Sequence, residues 1–382
     1  MSTMFKLRKQ LKNGIRLGEI KTKHGLVKTP FFMPDATRGF VKLLSNYDLD
    51  RIKMGPMVVN TFHLFLQPKM EIIKKAGGIH KFMNWNKPLL SDSGGFQVFS
   101  LIHRNPMMGK ISDEKVIFKS PLDGSTRDLT PEKSIQIQFD LGTDMMVCLD
   151  DCPPNDFSRT DIAKAVERTV KWAKRCEIEF EKQIKKRKIK KGDEPLLFAV
   201  IQGGPYLDLR KHCAEELIKI GFDGYGFGAM PVDKKGKFSE RILKYTAELI
   251  PKNALRFALG VGNPEDIAKC AAYGWDMFDC VIPTREGRHG RLFLWKRKSE
   301  LKISNFKFLI SSFYSSINIT NSRFSKDFSV INTDSKIYEL KTHTKAYLHH
   351  LFKSKENLGQ RLASLNNLEF YMELTGKLKG GS

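Results

Sequence analysis

The sequence predicts an α/β protein built on a (β/α)8 barrel, with a β-hairpin before the barrel and a separate segment after it. Eight short apolar runs recur between about residues 30 and 290, and stretches with helical periodicity lie between them. This alternation is typical of a parallel sheet that is covered by helices. The chain has 382 residues, enough for two ordinary domains or for one large barrel, since α/β barrels can have about 250 residues or more in one unit.

Each apolar run has the length and composition of a buried strand. The runs are PFFMP (30–34), PMVVNTFH (56–63), PLLSDSGG (88–95), DMMVCLDDC (144–152), LLFAVIQGG (196–204), GYGFGAM (224–230), RFALGVG (256–262) and DMFDCVIP (276–283). A helix is predicted between the fourth and fifth runs, where Ser158 or Thr160 can cap the first turn. Apolar residues then follow at helical spacing, at Ile162, Val166 and Val170.

The segments on either side of the barrel differ from it in composition and in the spacing of apolar residues. The stretch before the first run alternates and turns near His24-Gly25, which predicts a hairpin. The stretch after the eighth run is rich in Ser, Asn, Lys and Phe and lacks helical periodicity, whereas the C-terminal stretch is helical again. The predicted divisions are residues 1–29 for the N-terminal β-hairpin region, 30–293 for the catalytic barrel, 294–345 for an irregular or β-rich segment, and 346–382 for a helical region that packs on the barrel.

Polar side chains close several of the predicted strands. They are Asp92 after the third run, Asp150 after the fourth, Gln202 after the fifth and Asp279 in the eighth. The carboxyl ends of all barrel strands meet at one rim, where barrel enzymes carry their active sites. A single such residue could simply cap the next helix, but four on one rim favour a shared site.

The eighth run contains a residue that core packing does not explain. In MFDCVIPTREGRHG, Asp279 lies among strand formers, where an ionised carboxylate is costly to bury. Pro283 is expected to end the strand and to open a basic loop. That loop carries the arginines Arg285, Arg288 and Arg291. The pattern predicts a carboxylate at the barrel rim, beside side chains that can hold phosphates.

The composition favours a polyanionic partner. Lys and Arg number 65 against 42 Asp and Glu, a formal net charge of +23 at pH 7, and such an excess is typical of nucleic-acid-binding proteins. No apolar signal region and no run of 18 apolar residues occur, so we expect a cytoplasmic protein without a membrane span. The six cysteines form no C-x-x-C pair, which indicates reduced thiols.

Several of these stretches resemble those of the tRNA-guanine transglycosylases, closest to the bacterial type. The matching stretches, in the family's order, are TPFFMPDAT, NTFHLFLQP, LLSDSGGFQVFSL, FAVIQGG, GFDGYGFG, LGVGNPED, MFDCVIPTREGRHG and KAYLHHLF…LGQRL. They extend over nearly all of residues 15–375, apart from 295–342.

The resemblance implies an enzyme that exchanges guanine for a 7-deazaguanine at the wobble position (34) of tRNAs with GUN anticodons, in queuosine modification. It implies that Asp279 is the nucleophile of a covalent ribosyl-aspartate intermediate and that Asp92 is the general acid/base. A carboxylate can act in this way, and a second attack at the same carbon restores its configuration. The residues expected to hold the tRNA backbone are Arg285, Arg288, Arg291 and Lys296.

A pocket for the base is implied as well. Guanine presents N1–H and a 2-amino group, and an ionised carboxylate such as Asp150 accepts both. Gln202 and backbone N–H groups near Gly228 suit O6 and N7. Phe96 and Leu259 match positions that sandwich the base, although core packing explains them nearly as well. The expected base-binding residues are Asp150, Gln202, Gly228, Ala229, Phe96, Leu259, Cys152 and Val232.

The chain departs from the family at its zinc site, which has three cysteines and one histidine. The corresponding positions hold Ser335, Ile337, Leu340 and Asn366, and none of these is a usual zinc ligand. We therefore expect no zinc and no other cofactor.

Without a metal, packing must hold this segment together. The aromatic residues available for packing are Phe306, Phe308, Phe313, Phe324 and Phe328, and the histidines nearby, expected in helix or surface roles, are His343, His349 and His350. The family forms homodimers with the help of this segment, so whether this chain forms one stays open.

A second departure concerns the incoming base. In GAMPVDKK, Ala229 replaces a family glycine, and Lys234 replaces a glutamate that is associated with switching the pocket between guanine and the aminomethyl base. We expect 7-aminomethyl-7-deazaguanine as the incoming base, with queuine as the alternative.

Three other functions compete with this one. A non-catalytic tRNA-binding partner subunit should have lost at least the nucleophile, yet Asp92, Asp150 and Asp279 are all present. A transglycosylase for another tRNA position or another nucleic acid is disfavoured, because no appended RNA-binding domain is evident. An unrelated barrel lyase or aldolase is disfavoured by the arginine-rich stretch and the positive charge.

Overall fold

The structure is a computed structural model that describes residues 4–232, 236–296 and 313–380. In these residues the strands are β1 (Phe5–Gln10), β2 (Arg16–Thr22), β3 (Gly25–Lys28), β4 (Phe31–Pro34), β5 (Met57–Asn60), β6 (Leu89–Asp92), β7 (Gly109–Ile111), β8 (Val116–Lys119), β9 (Thr126–Leu129), β10 (Met145–Val147), β11 (Leu196–Ile201), β12 (Gly224–Phe227), β13 (Leu255–Ala258), β14 (Met277–Cys280), β15 (Arg291–Trp295) and β16 (Tyr314–Asn318). The helices are α1 (Asn46–Arg51), α2 (Thr61–Leu66), α3 (Met70–Ala76), α4 (Ile79–Met83), α5 (Gly95–Arg104), α6 (Pro131–Leu141), α7 (Arg159–Arg187), α8 (Leu207–Ile220), α9 (Glu240–Leu249), α10 (Pro264–Ala272), α11 (Ile282–Arg288), α12 (Tyr338–Thr342), α13 (Lys345–Lys353) and α14 (Asn357–Leu378).

Eight of these strands form a parallel sheet that closes almost completely into a barrel. Their order is β4-β14-β13-β12-β11-β10-β6-β5, and a bridge between Asp35 and Val58 links the two ends. Each strand lies beside its neighbour in the chain, with helices in the connections, as repeated strand–helix–strand units require. The predicted (β/α)8 fold is confirmed, and each predicted run contains one barrel strand.

Side chains of the barrel strands alternate between two apolar clusters. On β11, Phe198 and Val200 belong to the cluster inside the barrel, whereas Ala199 and Ile201 belong to the cluster beneath the helices. This period of two residues is that of a strand buried on both faces. The interior of the barrel is therefore a packed core, and the ends of the strands carry the polar groups.

The N-terminal strands cover the amino end of the barrel. β2 and β3 pair antiparallel around the predicted turn, which confirms the hairpin, and β1 adds a third strand. Phe5, Ile20 and Val27 from these strands join the cluster inside the barrel. This sheet therefore lies opposite the rim that carries the polar strand ends.

Hydrogen bonds to the buried carboxylate of Asp144 join this hairpin to the barrel. Asp144 accepts from the Nδ1 atom of His24 at 2.8 Å and from the backbone N–H of Leu89 at 2.9 Å. The rings of His24 and His80 are stacked, with centroids 3.6 Å apart and planes 18° apart. A metal ion lies in the plane of each imidazole that binds it, and two nearly parallel planes at this spacing cannot share one ion. We therefore interpret the cluster as structural.

The helix predicted between the fourth and fifth barrel strands is confirmed as α7. Ser158 is its N-cap, and its side chain accepts the backbone N–H of Asp161. The small antiparallel sheet of β7, β8 and β9, which lies between the third and fourth barrel strands, was not predicted. None of the helices in the described ranges has the length and apolar character needed to cross a membrane.

The prediction of a basic loop after Asp279 is wrong, because the chain forms helix α11 there. Pro283 lies in the first turn of this helix, where its missing N–H leaves no helical hydrogen bond unmade. Arg285 and Arg288 therefore lie on a helix, and Arg291 begins β15. Proline breaks a helix in its interior, but here it marks the beginning of one.

Helix α11 packs closely on the long C-terminal helix α14. A Cβ atom on Gly287 would lie 2.7 Å from the Cα atom of Ser364, so this approach requires glycine. Before α13, Phe313 and Phe324 are buried as predicted, whereas Phe328 is 75% exposed and contributes no core packing. The other aromatic residues predicted to pack here, Phe306 and Phe308, lie outside the described residues.

Candidate active site

Three carboxylates lie at the carboxyl-terminal rim of the barrel. Asp92 is the last residue of β6, Asp279 lies in β14, and Asp150 follows β10. Burial raises the pKa of all three, and the negative charge of Asp92 raises the pKa of Asp150 and Asp279 further. The three groups therefore form one electrostatically connected site.

Asp279 is held by the neighbouring strand end. Its Oδ1 atom accepts the backbone N–H of Gly260 at 2.9 Å. Burial, followed by the charges of Asp92 and Asp35, raises its pKa to about 7. The carboxyl group is thus fixed in orientation at the rim and changes its ionisation near neutral pH.

Asp92 is positioned by an amide on the adjacent strand. The side chain of Asn60, its register partner on β5, donates to Oδ2 at 2.9 Å. Burial raises the pKa of Asp92 to about 6, against hydrogen bonds from the Ser93 backbone and the Gln97 side chain, which lower it. A carboxyl group with such a pKa can both take up and release a proton near neutrality.

Asp150 and Gln202 form a buried pair on neighbouring strand ends. Nε2 of Gln202 donates to Oδ2 of Asp150 at 2.6 Å, and burial raises the pKa of Asp150 to about 7. The Gln202 side chain lies flat over Gly228, where a Cβ atom would be 2.5 Å from its Cδ atom. Gly228 therefore makes room for the side chain of Gln202, and both residues were predicted for this site.

Two apolar side chains stand at the rim beside these polar groups. Phe96, in the first turn of α5, is 44% exposed, so core packing does not explain it. Leu259 follows β13 and lies over Gly226, where a Cβ atom would be 2.4 Å from its Cδ1 atom. Leu259 also packs partly against the cluster inside the barrel, as the core-packing interpretation expects, whereas its contact with a base stays a prediction.

The remaining residues predicted for the base pocket lie on the segment after β12 and beside Asp150. Cys152 receives hydrogen bonds from the Gln202 side chain and the Ala229 backbone, and burial raises its pKa to about 12, so it remains a thiol. Ala229 has a φ of 102°, in the left-handed region that favours glycine. Val232 pairs with Phe238 in a β-bridge. Lys234 lies outside the described residues.

The predicted tRNA-binding cations differ in their surroundings. Burial lowers the pKa of Arg288 and the charge of Asp35 raises it, so this guanidinium lies near the rim carboxylates. Arg285 and Arg291 are exposed and flank Glu286, with N–O distances of 3.6 and 3.3 Å. Lys296 is exposed at the end of β15. Sequence reasoning did not anticipate that Glu286 partly neutralises two of the arginines.

Sequence reasoning also missed three polar residues of this rim. Asp35 follows β4 and raises the pKa of both Asp92 and Asp279. Asn60 and Gln97 hydrogen-bond to Asp92. Asp35 and Asn60 occupy strand ends, the same signal that identified the other rim residues, whereas Gln97 lies on a helix and carries no such signal.

The residues at the zinc positions have other partners. The hydroxyl of Ser335 donates to Glu369 and accepts the backbone N–H of Ile337. The amide of Asn366 accepts from Asn332 at 2.9 Å and donates to a backbone carbonyl at 3.0 Å. The side chains of Ile337 and Leu340 are buried in the main apolar cluster. This donor set does not fit zinc, which requires thiolate, imidazole or carboxylate ligands.

We therefore expect metal chelators to leave this protein unchanged. Because apolar contacts and hydrogen bonds already satisfy the residues at the four zinc positions, excess EDTA or phenanthroline should not alter the melting temperature or the activity. Elemental analysis should find no stoichiometric zinc. About one zinc per chain, lost together with folding on chelation, would contradict this expectation and direct attention to His343, His349 or His350.

Comparison with known proteins finds relatives over nearly the whole chain. A model of the family described as queuine tRNA-ribosyltransferase matches residues 12–380. The chain is 40% identical over 381 residues to a queuine tRNA-ribosyltransferase of Halothermothrix orenii, covering 100% of this chain and 94% of that protein. It is 39% identical over 366 residues to one from Lysinibacillus sphaericus, covering 96% and 88%, and 38% identical over 362 residues to one from Staphylococcus aureus, covering 95% and 87%. The chain therefore belongs to the queuine tRNA-ribosyltransferase family, whose enzymes are pentosyltransferases of the tRNA-guanine transglycosylase type.

Proposed function

We propose that this chain exchanges guanine 34 of tRNAs with GUN anticodons for a 7-deazaguanine through a covalent ribosyl-aspartate. The observation that carries the proposal is the set of three coupled carboxylates on one rim, each with a different partner. Such an arrangement suits a reaction that needs a nucleophile, a proton carrier and a receptor for the base.

Asp279 is the proposed nucleophile. Its ionised carboxylate attacks C1′ of the ribose, the bond from C1′ to N9 of guanine breaks, and an ester forms between the ribose and Asp279. The incoming base then attacks the same carbon and releases the carboxylate, so the configuration is retained. The Gly260 N–H bond to Oδ1 supports this role, since it fixes one oxygen and thereby orients the other.

Asp92 is the proposed proton carrier. The departing guanine anion takes up a proton, and the incoming base must lose one from the equivalent nitrogen. A carboxyl group with a pKa of about 6 can serve both directions near neutral pH. Hydrogen bonds from the side chains of Asn60 and Gln97 hold it in place.

Asp150 and Gln202 are the proposed receptors for the polar edges of the base. The two oxygens of Asp150 accept N1–H and the 2-amino group, and Gln202 with the Ala229 N–H serves O6 and N7. Phe96 and Leu259 cover the faces of the ring, as aromatic and apolar side chains do for single bases. Cys152 and Val232 line the side where a 7-substituent would lie, and we propose 7-aminomethyl-7-deazaguanine as the incoming base, with queuine as the alternative.

The proposed tRNA contacts make binding salt-dependent. Four cations, Arg285, Arg288, Arg291 and Lys296, would release counterions from the anticodon strand, which corresponds to a loss of about 50-fold in affinity between 50 and 200 mM salt. Filter binding over this range checks the slope. Arg285→Gln should reduce the slope by about one, whereas Arg8→Gln, at the opposite end of the barrel, should leave it unchanged. A flat salt dependence would contradict a phosphate-dominated interface.

The direct test of the proposal is exchange of radiolabelled guanine into a tRNA transcript by the purified chain. Exchange into a GUN transcript, but not into one with A34, is the expected result. In the cell, we propose that the reaction takes place in the cytoplasm, where mature tRNA resides. Competition with 7-aminomethyl-7-deazaguanine and with queuine ranks the two candidate bases. Binding of tRNA without exchange would instead favour a non-catalytic partner subunit.

A further inference from the structure

We propose that Arg210 is a positioning residue for base recognition, which orients the backbone of the two strand ends that carry Gln202 and Ala229. The inference rests on the proposed base exchange. Arg210 lies on α8, is fully buried at 0% exposure, and has no catalytic role in the proposed mechanism.

The guanidinium of Arg210 binds three backbone carbonyls of the rim. Nε donates to the carbonyl of Gly204 at 2.8 Å, Nη1 to that of Ile201 at 3.2 Å, and Nη2 to that of Gly228 at 2.9 Å. Ile201 ends β11 directly before Gln202, and Gly204 lies two residues after Gln202, whereas Gly228 follows β12. One side chain thus joins the two segments that would contact the base.

No carboxylate pairs with this cation among the residues that the structure describes. Its guanidinium carbon instead lies 4.4 Å from the centre of the Phe227 ring, a cation–π contact. Burial lowers the pKa of Arg210 only to about 10, so it remains charged at neutral pH. A buried cation is costly unless its donors are satisfied. Here three different nitrogens of one guanidinium each donate to a carbonyl, an arrangement that the single nitrogen of a lysine cannot reproduce.

The contact with Gly228 determines where the next N–H points. In a trans peptide the C=O and the following N–H point in opposite directions. Since the Gly228 carbonyl faces Arg210, the N–H of Ala229 faces away from it, and there it meets the thiol of Cys152 in the proposed base pocket. Arg210 therefore selects the peptide orientation in which a donor, and not an acceptor, faces the base.

Glycine makes the close approach of Arg210 possible. A Cβ atom on Gly203 would lie 2.6 Å from the backbone nitrogen of Arg210, and Gly203 has a φ of 139°. The turn after Gln202 therefore packs directly against the first turns of α8. Any side chain there would separate the guanidinium from the carbonyls that it orients.

Arg210→Lys tests this inference, with Arg16→Lys as the matched control. Arg16 is also buried and donates to two backbone carbonyls, those of Lys252 and Ala254, but it lies at the opposite end of the barrel. Both variants should lower the melting temperature. Only Arg210→Lys should raise the KM for guanine, by about tenfold or more, as expected when base-facing hydrogen bonds are misaligned, while the KM for tRNA stays within about twofold.

The outcomes separate the inference from the proposed function. Absence of guanine exchange by the unaltered protein would overturn the proposed function itself. Exchange by the unaltered protein, with an unchanged guanine KM in Arg210→Lys or an equal rise in Arg16→Lys, would overturn the role of Arg210. If Arg210→Lys does not fold, Phe227→Leu replaces it, since this variant keeps the guanidinium and removes the ring beneath it. Phe227→Leu should raise the guanine KM by about threefold, and an unchanged value would overturn the inference.

Discussion

Asp279→Asn should abolish base exchange while tRNA binding stays within about twofold of the unaltered protein. An amide has nearly the shape of a carboxylate and its oxygen can still accept the Gly260 N–H. It cannot, however, form the ribosyl ester and leave again as a stable anion. The expected loss in exchange rate is about 10⁴-fold or more, measured with radiolabelled guanine and a GUN transcript.

The matched control for this variant is Asp276→Asn, at the other end of the same strand. Burial raises the pKa of Asp276 to about 7 as well, but this carboxylate contacts Arg16 and Arg256 away from the rim. Its substitution should lower stability without abolishing exchange.

A covalent complex of tRNA and protein should appear on a denaturing gel for the unaltered protein and be lost in Asp279→Asn. Exchange by Asp279→Asn at a near-normal rate would show that another group is the nucleophile.

Asp150→Asn should lower kcat/KM for guanine by about 100- to 1000-fold, with little change in the KM for tRNA. The carboxylate offers two acceptors to N1–H and the 2-amino group, whereas an asparagine offers one acceptor and places its NH2 against a donor. The loss is therefore larger than that of one neutral hydrogen bond, because a donor is left facing a donor in a buried site.

Two comparisons make this prediction specific. Xanthine carries an oxygen in place of the 2-amino group, so it should compete better against Asp150→Asn than against the unaltered protein. Asp151→Asn is the neighbouring control, because the Asp151 carboxylate pairs with Arg168. Equal losses in Asp150→Asn and Asp151→Asn, or an unchanged preference for guanine over xanthine, would contradict the assignment of Asp150 to the guanine edge.

The barrel could be predicted because each of its strands and helices is recognisable from a short stretch of sequence. Buried strands such as β11 are short apolar runs that end in glycine, and the helix after Ser158 begins with a side-chain cap. The helix α11 was missed because it has Pro283 in its first turn and contains only about two turns, too few to show a period. The sheet of β7 to β9 was missed because its short strands, GKI, VIFK and TRDL, mix polar with apolar residues and do not form apolar runs.

In the candidate site, too, some residues could be identified from their position in the sequence, whereas others depend on contacts between distant parts of the chain. The strand-end position indicated Asp92, Asp150, Gln202 and Asp279, because all parallel strands of a barrel end at one rim. The same signal was present at Asp35 and Asn60 but was not used. Nothing in the sequence near Arg210 indicates a partner for its charge, since the carbonyls that it binds belong to the ends of two different strands.

By itself, the sequence determined the order of strands and helices, the rim on which polar residues gather, and the loss of the zinc ligands at Ser335, Ile337, Leu340 and Asn366. These properties depend on residue type and on spacing along the chain. Only the tertiary structure decided which carboxylates influence one another, which peptide N–H contacts Cys152, and which partners Ser335, Ile337 and Leu340 have in place of a metal. Those properties depend on distances between residues far apart in the chain, and burial together with neighbouring charge determines the ionisation of each group.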